Sequence, residues 1–274
     1  MPGSSTTITA AAMVRMNHRM RKLPITPLCP KTSTDEIRRP GVVPCHNRSM
    51  IVHIHLVRHG QTFFNRYNRL QGWSNSPLTQ SGLDDAIHAG NALKDITFAA
   101  AYCSDTTRAQ VTAQTILDIN AANGHDVPAI HADMHFREQF YGYFEGQDMG
   151  AAWLAAGGPH GAPTYHAIVE QFGLGATRDF LKEADPFHDA ESDEEYWRRV
   201  DGAFALIAAN ADLGDGDDVL MISHGNTLLS LMQRFAPAGY DLSERPANGS
   251  VTMIDFNTVK PLDDAIEVIS YNRR

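Results

Sequence analysis

The sequence predicts an α/β fold: a three-layer sandwich in which a mostly parallel sheet carries helices on both faces, with an inserted cap region. From residue 51 onward, short apolar runs typical of buried strands alternate with stretches of helical periodicity. Several of the helical stretches begin at recognisable capping residues. A stretch rich in glycine and proline interrupts this alternation at about 145–190, and we interpret it as the cap.

The length and charge of the chain limit the classes of function. Its 274 residues suit one large domain or two small ones. Residues 1–50 hold eight Lys or Arg against two acids, a net charge of +6, so the rest carries −15 of the total of −9. An acidic body argues against nucleic acid or an anionic membrane as a partner. No run approaches the roughly 18 apolar residues of a membrane span, and no apolar signal segment is evident.

Cysteine and histidine are placed without the spacing of a disulfide framework or a metal site. The three cysteines, Cys29, Cys45 and Cys103, are sparse and odd in number. No pair of histidines has helical spacing together with a carboxylate partner. We therefore expect a cytoplasmic protein that needs no metal and no cofactor. The sequence leaves the oligomeric state open, and a homodimer is compatible with it.

The N-terminal segment, residues 1–49, is rich in Ser, Thr, Pro and Arg and lacks periodicity. We expect it to be a disordered extension. The alternatives are a targeting segment, a basic arm, or a true start at Met50, immediately before the first predicted strand. Residues 50–274 are then expected to form the α/β domain.

Strands and helices are expected to alternate up to the cap. Each expected strand is a short apolar run, and each expected helix has apolar residues at helical spacing. We expect Leu83 and Ile87 of the first helix, and Val111 of the second, to face the core. The elements are a strand at Ile51 to Val57, a helix from the cap Thr79 to about Lys94, a strand at Phe98 to Cys103, a helix from Asp105 to about Ala122, and a strand at Val127 to His131.

Regular structure is expected to resume after the cap, within which we expect only short helices at about 148–156 and 164–171. Ser192 and Glu195 form a capping box at the start of a helix. We interpret the acidic run from Glu191 to Glu195 as a solvated helix start. The later elements are that helix to about Asn210, a strand at Asp218 to Ser223, a helix to about Phe235, and strands at Val251 to Phe256 and Ile266 to Tyr271.

Residues suited to holding an anion follow three of the predicted strands. Arg58 and His59 follow the first, Arg108 lies one turn into the helix after the second, and His224 and Asn226 follow the last long one. In a parallel sheet these strand ends face one ligand crevice. Two arginines beside two imidazoles suit a dianionic tetrahedral group, because Arg grips phosphate in bidentate fashion. The backbone amide of Asn226, at a helix N-terminus, could add a donor.

This arrangement indicates phosphoryl transfer. An imidazole nitrogen of His59 can attack phosphorus in line and form a phosphohistidine, while the arginines and the second imidazole meet the charge on the oxygens. A leaving alkoxide needs a proton. Glu138, in a loop with several glycines, is the best candidate acid, and Glu145 is the runner-up.

Five segments carry a resemblance to a known family. In this order along the chain they resemble the histidine phosphatase (phosphoglycerate mutase-like) superfamily, branch 1. The segments are LVRHGQTFFN (Leu56 to Asn65), LQGWSNSPLTQSG (Leu70 to Gly82), SDTTRAQVTA (Ser104 to Ala113), REQFYGYFEG (Arg137 to Gly146) and SHGNT (Ser223 to Thr227).

The resemblance implies roles for particular residues. It implies that His59 is the phosphorylated nucleophile and that Glu138 is the proton donor. The phosphate pocket that it implies consists of Arg58, Arg108 and His224.

The resemblance also implies that Gln61, Thr62 and Asn65 lie near the bound group. Two departures bear on the substrate. The segment after Glu138 lacks the charged, Lys-rich stretch that glycolytic mutases usually carry there, and residues 150–190 match no motif of the family.

Three functions remain as hypotheses at this point. The first is a phosphomonoester hydrolase that acts through phosphohistidine on a small phosphorylated metabolite. The second is a phosphoglycerate mutase-type phosphotransferase, which passes the phosphoryl group to a second hydroxyl. The third is a non-catalytic module that binds phosphate esters. The intact pair of imidazoles and the candidate acid weigh against the third, since a pure binder has no need of them.

Overall fold

The structure, a computed structural model, describes residues 50–274. The disordered extension expected at residues 1–49 lies outside the described residues. Within the described part of the chain, no helix is both long and apolar enough to cross a membrane.

Six strands of the described chain form one sheet in the order β3-β2-β4-β1-β5-β6. The first four strands in this order are parallel to one another, whereas β5 is antiparallel to both of its neighbours, β1 and β6. The strands are β1 (Ile51–Arg58), β2 (Phe98–Cys103), β3 (Ile130–Ala132), β4 (Asp218–Ser223), β5 (Val251–Asn257) and β6 (Ile266–Arg273).

Eight α-helices lie between these strands in residues 50–274. They are α1 (Phe63–Arg66), α2 (Gln80–Ala92), α3 (Thr107–Ala122), α4 (Met149–Gly157), α5 (Tyr165–Phe172), α6 (Leu174–Ala184), α7 (Asp193–Ala208) and α8 (Gly225–Phe235).

Helices cover both faces of the sheet, so the expected three-layer α/β fold is confirmed. On one face, Ile54 and Leu56 of β1 share a buried cluster with Phe204 of α7 and Leu228 of α8. On the other face, Val57 packs in a cluster that α2 and α3 complete. The alternation of β1 side chains between the two clusters follows from the two-residue period of a strand.

The buried face of α2 differs from the prediction. Ala86 and Ala89 are fully buried, whereas Ile87 is 45% exposed. The reason is the close approach of α2 to α3: a Cβ placed on Gly90 would lie 2.5 Å from Cδ1 of Ile119. Small residues allow this approach, so they take the inner positions. The prediction for Val111 of α3 is wrong for a similar reason, because smaller neighbours face the sheet there.

The predicted cap segment contains α4, α5 and α6. These helices bury Trp153, Ile168 and Leu181 in a cluster of their own. The two helices expected from the sequence are present as α4 and α5. Helix α6 was missed because glycines flank and enter it. Gly173, at φ +86°, precedes the helix and provides a left-handed turn rather than an end to regular structure.

Candidate active site

A cleft of about 330 Å³ opens at the C-terminal ends of β1 and β4. The two strands are parallel, and Arg58 pairs in register with Ser223, so their ends are level. The wall includes Arg58 and His59 from the end of β1, Asn226 from the start of α8, and Glu138. These residues, distant in the sequence, meet where the strand ends predicted a crevice.

The imidazole of His59 is held in one tautomer. Its Nδ1 lies 2.8 Å from the carbonyl oxygen of Gly60, which can only accept, so Nδ1 carries the proton. The lone pair is therefore on Nε2. Burial, with the charges of Arg108 and Arg58, holds the pKa of His59 well below its usual range. The ring is consequently neutral at pH 7.

The turn after His59 is fixed by a close contact between two backbones. A Cβ on Gly60 would lie 2.0 Å from the carbonyl oxygen of Gly82. Glycine at residue 60 thus lets the first turn of α2 pack directly against the His59 turn. Thr79 caps α2, as predicted, and its backbone amide donates to the carbonyl oxygen of Gln61 at 2.9 Å.

His224 and Arg108 lie beneath His59 and have no solvent-exposed surface. The ring centroids of His59 and His224 are 5.1 Å apart. Nη2 of Arg108 donates to Nδ1 of His224 at 3.2 Å, so the His224 proton is on Nε2, which donates to Oγ of Ser104 at 3.0 Å. Burial, and then Arg108 and His59, hold the pKa of His224 well below its usual range.

The Arg108 guanidinium is anchored by backbone carbonyls. It donates to the carbonyl oxygens of Gly72, at 2.7 Å, and Ser74, at 3.0 Å. Burial lowers the pKa of Arg108 to about 10, so the group stays charged at pH 7. Arg108 is therefore a fixed cation of the site, although it lies behind the cleft wall rather than on it.

Arg58 reaches the cleft wall directly. Its guanidinium donates to the carbonyl oxygen of Pro246, while its buried Nε has no hydrogen-bond partner within the described protein. Burial, and then the charge of Arg245, lower the pKa of Arg58 to about 10. A charged, partly unpaired guanidinium is suited to an incoming anion.

The carboxylate of Glu138 is buried at the N-terminus of α8. Oε2 accepts from the backbone amide of Asn226 at 2.8 Å. Oε1 accepts from Oγ1 of Thr227 at 2.8 Å and from the amide of Gln139 at 2.9 Å. The Asn226 amide, which the sequence offered to the substrate, is thus used by Glu138. Donors and helix dipole together fix this carboxyl beside the cleft.

Glu145, the runner-up acid, is committed to the backbone. Its carboxylate accepts from the amides of residues 72–74, at 2.9 to 3.1 Å, and from the amide of Tyr141, at 3.1 Å. These bonds shape the loop whose carbonyls hold Arg108. Glu145 therefore supports the site and does not line the cleft.

A buried ion pair fixes the loop that carries Glu138. Arg199 binds Glu191 through two contacts of 2.7 and 2.9 Å. Arg199 also donates to the carbonyl oxygens of Arg137, at 2.8 Å, and Glu138, at 3.1 Å, and Glu191 accepts from the amide of Phe140 at 2.9 Å. Glu191 is only 8% exposed, so the expectation that it is solvated is wrong. The reason is that Arg199, a buried cation on α7, binds the Glu191 carboxylate.

Two of the polar residues after Gly60 are used within their own loop. Oε1 of Gln61 accepts from Thr79, and Thr62 caps α1 and donates to Oε1 of Gln71 at 2.5 Å. Neither side chain is on the cleft wall, whereas Asn65 is. Gln61, Thr62 and Asn65 are therefore all near the site, because they follow Gly60 in the chain, but of the three Asn65 alone lines the cleft.

The cleft wall also contains residues that the sequence analysis did not single out. Gln71 and Tyr141 belong to two of the five segments, whereas Arg69 lies between two of them, directly before Leu70. Gln71 is 8% exposed, and its Nε2 has no partner within the described protein. Arg245 lies in the irregular stretch before β5, and no local pattern marks it.

Other features of the described chain do not compete with this site. No group of three or more His, Cys, Asp or Glu in residues 50–274 is placed to hold a metal ion. A larger hollow of about 870 Å³ lies beside β3, with Tyr102 and His131 in its wall, but its lining includes no Arg or Lys. Arg58, Arg69 and Arg245 instead line the smaller cleft.

A family model decides the relationship. The model of the histidine phosphatase superfamily (branch 1) matches residues 54–262. The chain belongs to this superfamily. The match frames every residue of the cleft described above, and a superfamily of phosphatases and mutases supports the view that the protein is an enzyme.

Individual superfamily members are similar over most of the described chain. The 2,3-bisphosphoglycerate-dependent phosphoglycerate mutase 2 of Gloeobacter violaceus is 33% identical over 177 residues, 65% of this chain and 72% of the relative. The crystal structure of phosphoglycerate mutase from Bacillus anthracis has a TM-score of 0.69 and 29% identity, covering 82% of this chain and 94% of that one. Bacillus stearothermophilus YhfR has a TM-score of 0.58 and 25% identity, covering 81% and 98%.

Proposed function

We propose that the protein is a phosphomonoester hydrolase that acts on a small phosphorylated metabolite through a phosphohistidine at His59. The observation that carries the proposal is the tautomer of His59. Its Nδ1 proton is used by the Gly60 carbonyl, which leaves the Nε2 lone pair of a neutral, buried ring beside two guanidiniums and a second imidazole.

In the first step the Nε2 lone pair attacks phosphorus. The P–N bond forms as the ester P–O bond breaks, and the electron pair of that bond leaves with the alkoxide. Glu138, protonated at this stage, gives its proton to the leaving oxygen. Arg58 and Arg108 carry fixed positive charge to the equatorial oxygens, where charge develops in the transition state.

In the second step Glu138, now a carboxylate, takes a proton from water. The water oxygen attacks phosphorus, the P–N bond breaks, and His59 regains its lone pair as inorganic phosphate leaves. Glu138 thereby returns to its protonated form. The same residue acts as acid and then as base, which requires that it stay fixed beside the reacting group, as its three hydrogen bonds allow.

The second candidate function is a phosphoglycerate mutase-type transfer. The observation in its favour is that the Gloeobacter violaceus relative and the Bacillus anthracis structure are both phosphoglycerate mutases. The first step would be the same. In the second, a hydroxyl of a bound substrate would take the place of water, so the two candidates differ in the acceptor.

One pair of assays separates these candidates. Phosphate release is measured on p-nitrophenyl phosphate and a panel of small phosphomonoesters, with and without chelator. Interconversion of 2- and 3-phosphoglycerate is measured with 2,3-bisphosphoglycerate as primer. Hydrolysis that survives chelator and disappears in His59→Asn supports the hydrolase. Isomerisation much faster than phosphate release would establish the mutase instead, and binding of esters without either reaction would overturn both.

A further inference from the structure

The outer part of the cleft carries positive charge beyond what one phosphoryl group requires. Arg58, Arg69 and Arg245 line the cleft, and Glu138 is the one acid among its lining residues. Neither Arg69 nor Arg245 forms a salt bridge with an Asp or Glu of residues 50–274. Within residues 50–274, the one hydrogen bond of the Arg69 guanidinium goes to the carbonyl oxygen of Gly146, at 2.6 Å.

Arg245 is nevertheless fixed in position. Its Nε donates to Oδ1 of Asn226, and its guanidinium lies over the ring of Tyr165, 4.9 Å from the centroid. Nη1 is 3.6 Å from the sulfur of Met149. These contacts come from α8 and the cap, and none of them is a negative charge. The guanidinium is therefore held in place without being neutralised.

Arg245 and Arg58 are adjacent cations. A Cβ on Gly225 would lie 3.2 Å from Cζ of Arg58 and 3.2 Å from Cδ of Arg245. Both side chains thus pack against the same backbone point at the start of α8. Holding two like charges together in a partly buried cleft is unfavourable unless an anion compensates them. After burial, the charge of Arg245 is the next cause of the lowered pKa of Arg58, because the two positive charges repel each other.

The contrast with Arg199 argues against a purely structural role for Arg245. Arg199 is also buried, but Glu191 neutralises it and the carbonyls of the Glu138 loop take up its donors. Arg245 has neither a carboxylate nor a backbone carbonyl as partner in residues 50–274, and its one oxygen acceptor there is the side-chain amide of Asn226. Beside it in the cleft wall, the buried Nε2 of Gln71 is a second donor without a partner within the described protein.

We propose that Arg245, supported by Arg69 and the Gln71 amide, forms a second anion subsite next to the phosphoryl site. The substrate is then a phosphomonoester that carries a carboxylate or a second phosphoryl group on a short spacer. The proposal rests on the proposed function for the assignment of the reacting phosphoryl group to His59. It assigns selection of the substrate to Arg245, a residue outside the five motif segments.

The test uses phosphonates, which bind but are not hydrolysed. Calorimetry on the full chain compares three compounds that share one spacer of about two methylene groups: propylphosphonate, with a single anionic group, 3-phosphonopropionate, with an added carboxylate, and ethane-1,2-bisphosphonate, with a second phosphonate. We expect at least one of the two-anion compounds to bind on the order of tenfold or more tightly than propylphosphonate. Which of them binds more tightly identifies the second group as carboxylate or phosphoryl.

Arg245→Met is the decisive variant, because methionine keeps much of the apolar contact with Tyr165 and removes the charge. We expect the loss of affinity for the preferred two-anion compound to exceed the loss for propylphosphonate by about tenfold or more. Arg198→Met is the matched control: it removes one positive charge from an exposed pair on α7, far along the chain from the cleft, and should leave all three affinities unchanged.

Two results would overturn the proposal. One is equal affinity of the wild-type protein for the one-anion and two-anion compounds. The other is an Arg245→Met variant that loses the same factor for all three, which would mean that the residue only supports the cleft. Failure of the proposed function is recognised separately, since it appears as absence of p-nitrophenyl phosphate hydrolysis whatever the calorimetry shows. Binding of none of the three compounds would remove the anion site altogether.

Discussion

Arg108, at the inner end of the cleft, and Arg245, at its outer end, are both guanidiniums beside the proposed phosphoryl site, yet the protein holds them differently. Arg108 is completely buried and bound to two backbone carbonyls and to His224. Arg245 is half-buried and rests on an amide oxygen, a thioether and an aromatic ring. The inner cation is surrounded by its own protein, and the outer one is open to a ligand.

This difference suggests a division of tasks: the inner residues serve the reaction, and the outer residues select the substrate. Inner groups that the protein buries and holds by hydrogen bonds are preorganised for charge that develops in the transition state. Outer groups with unused donors can meet whatever the substrate carries beyond the phosphoryl group. Substitutions at the inner end should therefore lower turnover of every ester alike, whereas substitutions at the outer end should change the ratio between esters.

The largest effect is expected at His59. His59→Asn removes the nucleophilic nitrogen, and we expect turnover of every phosphomonoester to fall on the order of 10^4-fold or more. Phosphate release, measured beside the control His53→Asn in β1, the strand that precedes His59, checks this. Turnover that survives within about tenfold would break the comparison, since the inner end would then not be the site of chemistry.

Glu138→Gln should have the next largest effect. The amide can neither give the proton to an alkoxide nor take one from water, so we expect steady-state turnover to fall about 10^3-fold. Since p-nitrophenolate leaves without a proton, p-nitrophenyl phosphate should still phosphorylate His59. Rapid-mixing measurements should then show a burst of one equivalent of p-nitrophenol followed by a slow phase. Unchanged turnover would place Glu138 outside both steps, and slow turnover without a burst would contradict the expectation that p-nitrophenyl phosphate phosphorylates His59 without the acid.

Arg199→Lys tests how the protein positions that acid. One ammonium cannot replace a guanidinium that binds Glu191 and two carbonyls of the loop, so Glu138 should be misplaced and kcat for alkyl phosphates should fall about tenfold. The dependence of kcat/KM on the pKa of the leaving alcohol should become steeper. Arg198→Lys, exposed on the same helix, is the control. A uniform loss across all leaving groups would indicate a structural role alone.

The smallest effect concerns stability in acid. The folded protein holds the pKa of His59 and His224 well below the unfolded value of about 6.5, so below that pH the unfolded chain binds more protons. The free energy of unfolding should therefore decrease as the pH is lowered below about 6.5, by about 1.4 kcal/mol per pH unit for each histidine. His59→Asn should remove one histidine's share of this slope. Urea unfolding at pH 7 and pH 5.5 measures it, and an unchanged slope would mean that the inner ring is not held neutral.

Much of the fold follows from local signals. Thr79 and Ser192 cap α2 and α7 as their sequence neighbours predict, and β2 and β4 have the predicted bounds. The ends of the parallel strands also bring His59 and His224 together. These features depend on short stretches of chain and on the rules of parallel sheets, so the sequence alone specifies them.

The features that the sequence did not predict depend on packing between distant segments of the chain. Ile87 is exposed because α3 approaches α2 too closely for a large residue, and the buried state of Glu191 depends on Arg199. Arg245 is brought to the cleft by the path of the chain before β5, which carries no motif. Such positions are set by tertiary contacts that single-sequence patterns do not encode.

Trapping the phosphoenzyme tests the central claim most directly. The Glu138→Gln variant is mixed with p-nitrophenyl phosphate, quenched in alkali and digested, and the modified peptide is located by mass spectrometry. We predict one phosphoryl group on the imidazole of His59, stable in base and lost in acid. A phosphoryl group on a serine, on His224 or on no residue at all would contradict the account.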